Sequence, residues 1–80
     1  MREERFQQAR IYFNSGRNSV DCLIRDISYE GARIILSDPV SIPDLVKLYI
    51  PNKKRTITAC VRWRRGDKIG LTFSESGSFR

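Results

Sequence analysis

Along most of the chain, apolar residues occupy every second position. Ala9, Ile11 and Phe13 alternate with Arg10, Tyr12 and Asn14. Val20, Cys22 and Ile24 make a second set, Ala32, Ile34 and Leu36 a third, and Val46, Leu48 and Ile50 a fourth. Ile57, Ala59, Val61 and Trp63 make a fifth, and Ile69, Leu71 and Phe73 a sixth. Successive side chains of an extended chain point to opposite faces, so each set predicts a strand with one buried and one wet face. Turn-forming stretches separate the sets: NSGRN after the first, SYEG after the second, PNKK and RGDK later as tight hairpins. SDPVSIPD makes a longer connection, since neither Pro39 nor Pro43 suits a central strand.

Short strands without a long helix predict an all-β fold, a six-stranded antiparallel barrel with little or no helix, because closure removes the sheet edges. The pattern places Ile11, Ile34, Leu48, Val61, Trp63 and Leu71 inside, and Trp63 reads as core packing rather than a stacking surface. Residues 1–80 form a single domain: 1–8 an N-terminal arm, as a helical turn or extended, 9–74 the barrel, and 75–80 a frayed tail. Cys22 shares the parity of Val20 and Ile24 and reads as a small buried hydrophobe, whereas Cys60 has the opposite parity to Val61 and is more exposed.

A chain of 80 residues has no room for a cleft between two lobes. Histidine is absent, which removes the commonest general base and metal ligand, and the two cysteines stand in no C-x-x-C spacing. An enzyme or a zinc site is therefore not expected. No signal peptide or membrane-length apolar run is present, which predicts a cytoplasmic protein with reduced thiols and no membrane span. Fifteen Lys and Arg against nine Asp and Glu give a net charge of +6, which favours an anionic partner. Arg62, Arg64, Arg65 and Lys68 concentrate around the last hairpin, as a solvated face or a partner's surface. Single-stranded nucleic acid would need aromatics interleaved with the cations, and Tyr12, Tyr29 and Tyr49 come from different strands, so no specific nucleic-acid complex is expected.

The stretch RDISYEGARI, residues 25–34, holds Asp26, Ser28 and Gly31 in the order D-x-S-x-x-G. Turn chemistry accounts for part of this, because Asp and Ser bond nearby backbone and Gly31 would supply a positive φ. Spacing adds something more: residues two apart on a strand present a carboxylate and a hydroxyl side by side, flanked here by Arg25 and Arg33. A carboxylate so placed can accept from the N–H groups of a base edge.

That stretch resembles the (D/N)-x-S-x-x-G signature of PilZ domains, bacterial receptors for the second messenger cyclic di-GMP, whose fold is a six-stranded antiparallel barrel. ARIYFNSG, VDCLIRDIS, GARI, SIPDLVKLYIP and ACVRWRRGDKIGLTF extend the likeness over nearly the whole chain, in the manner of compact single-domain alphaproteobacterial members. The resemblance implies a signalling module that binds cyclic di-GMP without any cofactor, with Asp26, Ser28 and Gly31 as ligand residues. Family members add an upstream R-x-x-x-R whose arginines clamp phosphates and meet guanines, a task suited to planar guanidinium. Arg2, Arg5, Arg10 and Arg17 include no pair four apart; Arg2 falls near the second family arginine, and Arg5 is a substitute if the arm shifts register. The expectation is a weakened receptor using Arg2, Arg5, Asp26, Ser28 and Gly31. The alternative is a degenerate PilZ-like barrel that ignores cyclic di-GMP and meets a protein effector.

Overall fold

The computed structural model describes residues 6–74, and these form an all-strand closed barrel. Its strands are β1 (Gln7–Phe13), β2 (Asn18–Ile27), β3 (Gly31–Leu36), β4 (Leu45–Ile50), β5 (Arg55–Arg65) and β6 (Lys68–Phe73). Each is antiparallel to its neighbours, in the order β1-β2-β3-β6-β5-β4, with β4 returning to β1 through Ile11 opposite Leu48. β1 opens at Gln7, two residues before the alternation becomes visible, because Gln7 and Gln8 pair with Ile24 and Leu23 although neither is apolar. No helix long and apolar enough to cross a membrane occurs among the described residues.

The alternation explains the interior. Ile11, Val20, Cys22, Ile24, Ile34 and Leu48 are buried from successive strands, and no polar or charged side chain is buried among the described residues. Each aliphatic side chain so removed from water contributes roughly 1.5–3 kcal/mol. Ile42, from the proline-marked connection, also folds into this core. Arg64 holds that connection, its Nη2 donating to the Ile42 carbonyl at 3.0 Å and to Asp44 Oδ1 at 3.1 Å.

Two positions depart from strict alternation, and both are bulges. On β5 the register slips between Val61 and Trp63: Val61 pairs with Leu71 and Trp63 with Gly70, leaving Arg62 extra. One inserted residue reverses the facing of every residue beyond it on the strand. Trp63 is accordingly 43% exposed rather than inside, and Val61 is only partly buried against the core. The expectation that Trp63 packs in the interior is corrected for this reason. On β2 the slip lies between Ile24 and Asp26, with Arg25 extra. Asp26 would otherwise follow Val20, Cys22 and Ile24 inward; the bulge turns it to solvent.

This packing can be tested at Leu48 and at the two thiols. Leu48, fully buried, should cost about 2–5 kcal/mol on replacement by alanine, read from the midpoint of urea unfolding. Burial pushes the Cys22 thiol up to about 12, with the charge of Asp21 adding to the loss of water. An unfolded thiol ionises at about 8.5, so the Cys22 contribution is whole below that pH and is lost as pH rises toward the folded value. In the native protein at mildly alkaline pH, a thiol reagent should label half-buried Cys60 and spare Cys22. Equal rates at both would show that β2 opens readily.

Candidate ligand-binding site

The β2 bulge sets the first wall of the site. Asp26 stands directly across from Arg33 on β3, and the two side chains meet in a bidentate pair, Nε to Oδ1 at 3.1 Å and Nη2 to Oδ2 at 2.7 Å. The hydrogen bonds, and then the charge, of Asp26 hold the Arg33 guanidinium above its ordinary pKa. Arg33 thereby fixes the carboxylate plane while each oxygen keeps acceptor capacity for a further donor.

Residues 28–31 close the β2–β3 connection. The Ser28 amide donates to the Gly31 carbonyl at 2.8 Å, and the Ser28 hydroxyl accepts from the Glu30 amide at 3.2 Å. This is local turn chemistry. Gly31 is not at positive φ, so that part of the turn reading is corrected. Glycine is required because β6 runs close by: a Cβ at residue 31 would run into the Leu71 carbonyl oxygen.

The second wall comes from the β5 bulge, which puts Arg62 and Trp63 on the outside together. Trp63 lies flat over Gly70 of β6, where any Cβ would collide with the indole ring. Glycine opposite an aromatic residue in a strand pair leaves bare backbone for the ring to cover. Between the walls lies a groove of about 440 Å³, lined among others by Asp26, Ser28, Arg33, Arg62, Trp63 and Thr72. It combines an oriented carboxylate, a half-exposed indole face and a guanidinium without a carboxylate partner among the described residues. Such a set can accept from a base edge, stack on its ring and neutralise a phosphate.

Of the residues expected from sequence, Asp26, Ser28 and Gly31 come together here, while Arg2 and Arg5 lie outside the described residues. Arg62 and Trp63 were missed. A signal for them did exist: the RGDK hairpin pairs Arg65 with Lys68 and Arg64 with Ile69, and the bulge-free count from there sets Trp63 opposite Gly70. Tyr12 and Tyr49 make an edge-to-face pair on β1 and β4, with centroids 6.5 Å apart, and do not line this groove. No cluster of metal-ligating side chains occurs among the described residues.

Compared with known families, the chain matches the family model described as PilZ domain over residues 2–78. No curated protein matches it.

The indole's seat is directly testable, because Trp63 is the sole tryptophan. Gly70→Ala should lift the ring, shifting its fluorescence emission to longer wavelength while the far-ultraviolet circular dichroism keeps its β form. An unchanged emission maximum would show that the ring does not rest on Gly70.

Proposed function

The chain belongs to the PilZ domain family, and we propose that it is a receptor for cyclic di-GMP. Asp26 reads the N–H edge of a guanine, Ser28 and Gly31 leave room for the ligand beside the turn, and Trp63 offers its face to the base. Arg62 and an arginine of the N-terminal segment, Arg2 or Arg5, meet the phosphates. The observation that carries this reading is the outward carboxylate of Asp26, held by Arg33 in the groove beside Trp63. The protein acts by binding and not by chemistry, passing occupancy to an effector through the arm and the groove walls. Its place is the cytoplasm, a compartment that suits the two free thiols.

No two of Arg2, Arg5, Arg10 and Arg17 are four apart, so these residues do not spell the family's R-x-x-x-R, and we propose a weakened phosphate clamp. One charge-assisted hydrogen bond contributes roughly 1.5–3 kcal/mol, about tenfold to a hundredfold in affinity. A second reading draws on the same absence: a PilZ barrel that has given up the ligand and serves as a protein-interaction module. In that reading Asp26 is there for Arg33 alone.

Calorimetry with cyclic di-GMP on three proteins separates the readings. The chain itself should bind weakly. Asp26→Ala should weaken binding by about tenfold or more while the barrel stays folded, since both partners of the lost pair are exposed. A version extended upstream to restore R-x-x-x-R should gain about tenfold or more. If the restored version takes up no cyclic di-GMP at millimolar concentration, the interaction module replaces the receptor.

A further inference from the structure

A second groove, of about 530 Å³, lies on the other side of Trp63 and is lined by Arg25, Arg33, Ile35, Trp63, Arg65 and Lys68 together with buried Ile34. Its cations come from three strands besides that of Arg33. Arg25 is the extra residue of the β2 bulge, Arg65 ends β5, and Lys68 opens β6. Arg65 and Lys68 sit directly opposite one another in register, an arrangement in which like charges repel. Three arginines of the barrel do have carboxylate partners: Arg10 has Asp21, Arg33 has Asp26 and Arg64 has Asp44. Arg25, Arg65 and Lys68 have no ion-pair partner among the described residues, and no carboxylate lines the groove. The floor between them is apolar, made by Ile35 and the indole.

We infer that this groove docks an acidic, extended segment of a partner protein, its carboxylates meeting Arg25, Arg65 and Lys68 and an apolar side chain lying against Trp63 and Ile35. In an extended segment residues two apart share a face, so an apolar side chain with acidic ones two residues to either side presents all three to a ring of cations around an apolar floor. Single-stranded nucleic acid matches it less well, because successive bases need successive stacking surfaces and this groove has one aromatic ring. A membrane surface would call for a protruding apolar side chain, whereas Trp63 lies flat over Gly70. Arg25, Arg65 and Lys68 do not line the groove assigned to cyclic di-GMP, whereas Trp63 and Arg33 line both, so the docking cations, though not the indole, are separate from that assignment.

Fluorescence of Trp63 reports occupancy. The probe is a capped extended peptide with one leucine flanked two residues to either side by glutamates and serines between, titrated into the whole chain at physiological salt. The expected result is a saturating change in the micromolar range. In Arg65→Glu/Lys68→Glu, affinity for the peptide should fall by at least about tenfold, with a smaller loss in Arg65→Gln/Lys68→Gln, the neutral variant in which any cyclic di-GMP binding should be largely kept. No response at millimolar peptide would overturn the proposal, as would an equal response to a lysine–leucine peptide. Tighter binding to oligothymidylate, or to vesicles of phosphatidylcholine and phosphatidylserine, lost in the same variants, would replace the acidic protein by that partner. Peptide failure with cyclic di-GMP binding intact would leave the receptor standing, and the converse would leave the docking surface standing.

Discussion

Closing a small antiparallel sheet on itself imposes one constraint on which the other features depend. Every second residue is forced into an interior too narrow for anything but side chains, and here that interior is dry: aliphatic, Cys22 and Phe73, with no buried charge among the described residues. A polar group on the wrong parity would have to be desolvated without a partner. The barrel avoids this with an inserted residue, at Arg25 on β2 and at Arg62 on β5. Both insertions lie on strands that flank the β3–β6 pair, so they open onto the same outer face. The groove of Asp26 and Trp63 is what two bulges and two close-approach glycines leave between them.

Charge on that outer surface is arranged unevenly. Arg10, Arg33 and Arg64 each bond an aspartate, exposed pairs that fix geometry more than they stabilise the fold. Arg33 is the clearest case, because its fork sets the plane of the Asp26 carboxylate, whose oxygens line the groove with acceptor capacity left over. Arg25, Arg62, Arg65 and Lys68, which have no ion-pair partner among the described residues, line the grooves on either side of Trp63, which forms a wall of both, as does Arg33. A ligand that turned the indole or drew Arg33 away from Asp26 would alter the neighbouring groove.

Much of this was legible in the residue pattern, and the limit falls where pairing begins. Period-two alternation in segments such as Val46–Leu48–Ile50 is a local property, so strand identity, the core face and the all-β class are determined by the sequence alone. The D-x-S-x-x-G run likewise carries its own turn, since Ser28 bonds within three residues of itself. What the sequence could not decide is register. A bulge shows only as the offset between two strands, and one residue of offset sends Trp63 from core to groove and Asp26 from interior to surface. Gly31 and Gly70 illustrate the same division: Gly31 reads locally as a turn residue and Gly70 as one position of a strand, yet each is required by something on another strand, the Leu71 carbonyl for one and the Trp63 ring for the other. Local alternation fixed which residues are strands, and only the closing of the sheet decided which of them look outward together.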